Sequence, residues 1–156
     1  MCKKTEATLQ GIKPKEIKTV SRTPIKNIKT LAIVDDDAIF VFLTKMAIEQ
    51  THLVDQSKVF GNGLDAINYL KENRDNDDML PEVILLDLSM PVMDGWQFLD
   101  EYVLLKPKIR KSTAIDIVTS SISPEDVSKA KSNSAVSDFI VKPITKEKFK
   151  EIVEKL

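Results

Sequence analysis

The chain holds one cysteine, Cys2, and one histidine, His52. A lone thiol excludes an internal disulfide and fits a reducing compartment, so the cytoplasm is the expected location. No set of His and Cys ligands exists from which a zinc site could be built, and His52 reads as a surface or loop residue. Glycine is scarce, at four residues in 156. A glycine-rich loop that would cradle nucleotide phosphates is absent, which argues against a nucleotide-binding flavodoxin-like protein. No apolar run approaches the roughly 20 residues needed to span a bilayer. The N-terminus lacks the apolar core of a secretory signal. Repeats and low-complexity tracts are also missing.

What is present is unevenly spread. A net charge of −1 conceals a basic start, with eight Lys or Arg against two Glu in residues 1–30, and an acidic remainder. Pro14, Pro24 and many Ser and Thr interrupt the first segment without periodicity. Residues 1–28 therefore read as a basic, disordered extension, a passive tail in preference to a nucleic-acid-binding arm. Residues 29–156, in a chain that is 42% hydrophobic, are expected to form one domain with its own core.

The stretch Val83-Ile84-Leu85-Leu86-Asp87 fixes the organisation. Four aliphatic residues in a row read as a strand buried on both faces, as in a parallel sheet. Other short runs share its character: Thr30–Val34, Lys58–Phe60, Ala114–Val118 and Asp138–Val141. Between them the period changes to that of a helix. Ile39, Phe42, Leu43 and Met46 repeat at i, i+3, i+4, i+7 behind Asp37, a suitable N-cap. Gly63, Ala66, Ile67 and Leu70 follow the turn Gly61-Asn62-Gly63. Phe98, Tyr102 and Leu105, with Trp96, Leu99 and Val103 beside them, make a broadly apolar helix that ends near Pro107. Ser123 caps a Ser/Lys-rich, weakly apolar helix with Pro124 at its first position. Phe149, Ile152, Val153 and Leu156 complete a fifth.

Strand and helix alternate five times, which predicts an α/β fold with a parallel sheet covered on both faces. Right-handed crossovers then bring every strand's C-terminal end to one edge, where open α/β sheets place their ligands. Asp35, Asp36, Asp87, Thr119 and Lys142 all fall at such ends. Two unit charges 4 Å apart interact by about 4 kcal/mol at an effective dielectric near 20. Three carboxylates gathered there need a cation, and oxygen ligands suit Mg²⁺. A hard divalent ion, an ammonium and a hydroxyl around Asp87 are equipment for phosphoryl transfer to a carboxylate nucleophile.

The motifs Val34-Asp35-Asp36-Asp37, Leu86-Asp87-Leu88-Ser89-Met90-Pro91-Val92-Met93-Asp94-Gly95, Val118-Thr119-Ser120 and Val141-Lys142-Pro143 resemble the receiver domain of two-component response regulators. The resemblance runs from about Lys29 to Leu156. It implies a flavodoxin-like doubly wound sheet of order 2-1-3-4-5. Asp87 is then the phosphoacceptor, charged by a histidine kinase or phosphotransfer protein. Mg²⁺ is held by Asp36, Asp87 and the backbone carbonyl of Ser89, with Asp35 acting through water. Lys142 contacts the phosphoryl group, and Lys142-Pro143 is a cis peptide. Thr119 and Phe139 form a switch pair that alters a face built from the fourth helix, fifth strand and fifth helix. Ser89 and Ser121 match positions that tune phosphate lifetime.

Two features depart from the family pattern: the basic extension, and the lack of a glycine in the loop Ser132–Ser137 before the fifth strand. The sequence shows no output module. The resemblance therefore implies a stand-alone signalling protein, not an enzyme, acting through an unknown protein target, without membrane or nucleic-acid binding, as a monomer or a phosphorylation-dependent dimer. Alternatives are a phosphate-independent docking module of the same fold, and a phosphatase of the haloacid dehalogenase type. The second is disfavoured because no cap domain or later acidic pair is present.

Overall fold

The computed structural model describes residues 27–120 and 123–156. The basic segment, apart from Asn27 and Ile28, lies outside the described residues, as does Ser121. Five strands and five α-helices alternate: β1 (Ile28–Val34), α1 (Ala38–Glu49), β2 (Val54–Phe60), α2 (Gly63–Glu72), β3 (Val83–Leu86), α3 (Gly95–Leu105), β4 (Ala114–Thr119), α4 (Pro124–Lys131), β5 (Val136–Val141) and α5 (Lys146–Glu154). A 3₁₀ turn, Lys106–Lys108, follows α3. All strand pairs are parallel and the order is β2-β1-β3-β4-β5. This is the doubly wound, flavodoxin-like 2-1-3-4-5 sheet that the alternation and the motifs predict.

Each face of the sheet buries its own core. On one side Ala32, Val34, Ile84, Leu86, Ile115 and Ile117 pack under α2 and α3 and meet Ala130 of α4. On the other, Leu31, Ile33, Val83, Leu85, Val118 and Ile140 pack under α1 and α5. The four residues of β3 are all buried because successive side chains serve opposite cores. The expected core positions Ala66, Ile67 and Leu70 of α2, and Phe149, Ile152 and Val153 of α5, are buried. Leu156 instead falls past the end of α5 and is exposed.

Helix α1 corrects the expectation about its face. Ile39, Phe42, Leu43 and Met46 are 74, 62, 53 and 44% exposed, and the residues turned inward are Phe40, Thr44 and Ile48. The helix, Ala-Ile-Phe-Val-Phe-Leu-Thr-Lys-Met-Ala-Ile-Glu, is apolar on nearly every side. Periodicity alone cannot choose among faces in such a helix. The choice is made by Asp37, whose carboxylate accepts the N–H groups of Ile39 and Phe40 at 3.1 Å and fixes where the first turn starts.

Strand ends differ from expectation for a related reason. β2 is an edge strand, and its first half, Val54-Asp55-Gln56-Ser57, has no apolar signature because one edge meets solvent. β5 starts at Val136, two residues early, and its pairing with β4 skips Ser137: Ile115 faces Val136, and Asp116 faces Asp138. That bulge lets Val136 and Phe139 both reach the α2–α3 side. The missing glycine before β5 is answered by Asn133, whose side-chain oxygen accepts the Ala135 N–H at 2.9 Å in an Asx turn.

The inward and outward faces of α1 should respond differently to truncation. Phe40→Ala is expected to cost about 3–4 kcal/mol in urea unfolding, in the range for a buried aromatic. Phe42→Ala should stay within about 0.5 kcal/mol of wild type. Equal costs would contradict the orientation described.

Candidate functional site

Three strand ends place the site. Asp35 follows β1, Asp87 follows β3 and Lys142 follows β5, and the sheet ladder holds each by its backbone. Asp35 N–H donates to Phe60 O, Asp87 N–H to Val34 O and Lys142 N–H to Thr119 O, each at 2.9 Å. Each side chain emerges at the first residue past its strand, where the last ladder bond holds the backbone, so their relative positions are set by the sheet.

Carboxylate oxygens of Asp35, Asp36 and Asp87 come within 4.8 Å of one another. Asp35 and Asp87 are buried and Asp36 is exposed. One oxygen of Asp35 accepts the Asp37 N–H at 2.9 Å. The Lys142 ammonium lies 2.8 Å from the other and 3.8 Å from Asp87 Oδ1. It also sits 4.1 Å from the centre of the Phe40 ring, so the inward face of α1 supports the lysine from below by a cation–π contact. The short Lys142–Asp35 approach is an ion pair with poor hydrogen-bond alignment. It leaves Asp35 Oδ2 buried without a hydrogen-bond donor among the described residues.

Among the described residues the cluster sets three carboxylates against one ammonium, two negative charges in excess when all are ionised. Asp87 shows the strain: burial, then the charge on Asp35, pushes its carboxyl up to about 6, while Lys142 and the N–H groups of Leu88 and Ser89 pull it down. A buried carboxylate oxygen that is ion-paired but accepts no hydrogen bond, an all-oxygen donor set and the acidic excess among the described residues fit one hard divalent cation.

The loop after Asp87 is pinned at close range. Gly95 N–H donates to Leu88 O at 3.0 Å and Gly63 N–H to Met93 O at 2.9 Å. A Cβ on Gly95 would meet Asp87 O at 2.5 Å and Leu88 Cα at 2.8 Å. Both are backbone atoms with no freedom to yield, so the glycine is required by close approach. Between these clamps Val92 takes φ 69°, with Met93 N–H donating to Pro91 O at 2.7 Å in a γ-turn. A β-branched residue in that region is strained, and the loop contacts hold it there.

Of the residues expected from sequence, Asp35, Asp36, Asp87 and Lys142 are brought together. Thr119 is buried at the end of β4. Phe139 is half-buried on β5, opposite Ile117, and so shares a face with Thr119, two positions further on. Ser89 is exposed two residues past Asp87. The Lys142-Pro143 peptide is cis, as the resemblance implies. Sequence reasoning missed Phe40 as a neighbour of Lys142, because the face of α1 was misassigned. It also missed Val92, whose conformation has no signal in its residue type.

The sequence profile of the response regulator receiver domain matches residues 31–154. The chain belongs to that family, whose members act in two-component signalling. Over 126 residues it is 26% identical to a probable methanogenesis regulatory protein, FilR2, of Methanothrix harundinacea, covering 81% of this chain and 79% of that one. It is 28% identical over 123 residues to the probable C4-dicarboxylate response regulator DctR of Bacillus subtilis, 79% of this chain and 50% of that protein. A two component response regulator from Cytophaga hutchinsonii superposes with a TM-score of 0.76 at 28% identity, covering 83% of this chain and 97% of the other. Among the described residues no helix is long and apolar enough to cross a membrane.

The raised carboxyl of Asp87 predicts a linked stability. In the unfolded chain it ionises near 3.8, and in the metal-free fold at about 6. Between those values the folded state keeps a proton that the unfolded state has lost, so its contribution falls as pH rises and is fully lost above about 6. Asp87→Asn should therefore raise the thermal midpoint in EDTA by a few degrees at pH 7.5 and by less at pH 5. An equal shift at both values would contradict the crowded-carboxylate account. Gly95→Ala should cost about 2–4 kcal/mol in urea unfolding, and a neutral effect would contradict the close approach to Asp87.

Proposed function

We propose that this chain is a phosphoacceptor switch whose receiver domain spans residues 28–156, one residue earlier than the expected boundary because Ile28 opens β1 and is buried. The observation that carries the reading is the Asp35–Lys142–Asp87 cluster, a buried carboxylate held beside one ammonium at the shared edge of a receiver sheet. Asp87 is the nucleophile. Its oxygen attacks phosphorus, the bond from phosphorus to the donor's imidazole nitrogen breaks, and the imidazole leaves with that electron pair. The product is an aspartyl-phosphate, with no general base needed for an ionised carboxylate. The donor is a histidine kinase or a phosphotransfer protein, a partnership that fits a cytoplasmic location.

Asp36, Asp87 and the Ser89 carbonyl would hold Mg²⁺, with Asp35 acting through water. The ion supplies neutralisation of the phosphoryl oxygens. Lys142, 3.8 Å from Asp87 Oδ1, shares that charge. The Thr119 hydroxyl then donates to the bound phosphate, and the Phe139 ring on the same face turns inward into the space vacated. The α4–β5–α5 face changes as a result and is read by a protein target, through a monomer or a phosphorylation-dependent dimer. Ser89 tunes how long the phosphate persists. No substrate is turned over, beyond slow loading from small donors and slow self-hydrolysis.

The outward stripe of α1 supports the choice of a protein donor. Ile39, Phe42, Leu43 and Met46 present a contiguous apolar ridge on the helix that Asp37 starts, directly after the acidic pair. An apolar ridge of this kind on a charged surface marks a docking site. A donor with an apolar helical face, seated on α1, would be close to Asp87.

Incubation with acetyl phosphate and Mg²⁺, followed by intact mass spectrometry at mildly acidic pH, tests the reading. One phosphoryl adduct is expected, absent with EDTA and absent in Asp87→Asn. Phe139→Ala should keep the adduct and weaken target binding. Phe42→Glu should load from acetyl phosphate within about two-fold of wild type and slow transfer from a protein donor by about ten-fold or more. An adduct that survives in Asp87→Asn would overturn the assignment. Unimpaired transfer from a protein donor to Phe42→Glu would remove the docking role of α1.

A further inference from the structure

A second charged group lies beneath α5 and takes no part in the phosphoacceptor chemistry. Asp116, in the middle of β4, is 3% exposed. It stands where its neighbours Ile115, Ile117 and Val118 are core aliphatics. Its register partners are Leu85 on β3 and, because of the bulge at Ser137, Asp138 on β5. Acids opposite one another on adjacent strands repel. The compensation comes from one helix: Lys155 and Lys148 of the α5 region reach Asp138 Oδ2 at 3.4 and 3.8 Å. The other oxygen of Asp138 accepts the N–H of Phe139 at 2.8 Å. Glu151 enters only through Lys148, at 3.6 Å. The charges facing Asp116 are thus Asp138 from β5 and Lys148 and Lys155 from the C-terminal helix, while β3 presents an apolar side chain.

We propose that Asp116 and Asp138, spanned by Lys148 and Lys155, form a proton-responsive clamp that couples the packing of α5 and the backbone at Phe139 to pH. This is an input to the α4–β5–α5 face that needs no phosphoryl group, and it stands apart from the reading of Asp87. When Asp116 is ionised, two carboxylates share the two ammoniums. When it is protonated, Asp138 has both to itself and draws α5 onto β5. Burial, then the charge of Asp138, pushes the Asp116 carboxyl up to about 6, with Lys155 and Lys148 pulling it down. The unfolded chain ionises this group near 3.8. From there to about 6 the folded state retains a proton that the unfolded state lacks. The contribution therefore falls by up to about ten-fold in the unfolding constant per pH unit as pH rises, and is level above that window.

Asp87 titrates in the same range, so the test is made on the full chain carrying Asp87→Asn, without Mg²⁺. The Asp116 carboxyl ¹³C shift and the backbone amides of Phe139, Phe149 and Ile152 are followed by NMR from about pH 4.5 to 8. One midpoint near 6 is expected at the carboxyl and, in step, at the three amides. It should vanish from the amides when Asp116→Asn is added. Asp138→Asn, which keeps Asp116 and removes its repelling neighbour, should move the midpoint to lower pH and keeps the test open should Asp116→Asn fail to fold. Amides that stay flat while Asp116 titrates would overturn the clamp, as would an unmoved midpoint in Asp138→Asn.

Discussion

Mutual repulsion among carboxylates at the strand ends is the constraint on which the rest of the site depends. Asp35, Asp36 and Asp87 are forced together by the sheet, since two of them follow adjacent strands whose ladder ends on Val34 and Phe60. Water would separate such charges, but Asp35 and Asp87 are buried. Among the described residues Lys142 alone answers them, and one ammonium cannot neutralise three carboxylates. The arrangement is tolerable because hydrogen bonds from outside the cluster pin the backbone beneath it. A site held in this way is ready for positive charge and for whatever a divalent cation would bring with it. Local stability is given up where these carboxylates are gathered.

The same lysine links the site to both faces of the molecule. Its backbone is bonded to the end of β4 at Thr119, and its ammonium rests over Phe40 of α1. On the solvent-facing side of α1 lies the exposed ridge of Ile39, Phe42, Leu43 and Met46. Phe139, three residues upstream of Lys142 on β5, faces the opposite core. Under the function proposed for this chain, delivery of a phosphoryl group and its readout would use different surfaces while sharing one residue. Clamping of β5 by the lysines at the C-terminal helix adds a third influence on the strand that carries both Phe139 and Lys142.

Much of this was legible in the sequence because burial on two faces leaves a strong mark. Val83–Leu86 reads as a strand buried on both faces, and the acids and the lysine expected at successive strand ends do come together at one edge of the sheet. What could not be read falls where local pattern and tertiary context part. Helix α1 is apolar almost all round, so its inward face was decided by where Asp37 starts the helix. The polar half of β2 is strand only because β1 lies beside it. Asp116 interrupts an aliphatic run without announcing whether it is solvated or buried. Its charged setting emerges only when α5 folds over β4 and β5, and when the bulge at Ser137 brings Asp138 opposite.

Chemical trapping of the acceptor tests the central claim most directly. The protein would be loaded with a small phosphodonor and Mg²⁺, then treated with borohydride, which reduces an acyl phosphate to the alcohol and releases the phosphate. Peptide mass spectrometry should find homoserine at position 87 and nowhere else. Homoserine at position 35 or 36, or loading that leaves position 87 as aspartate, would contradict the account of Asp87 as the carboxylate that the fold holds ready for phosphoryl transfer.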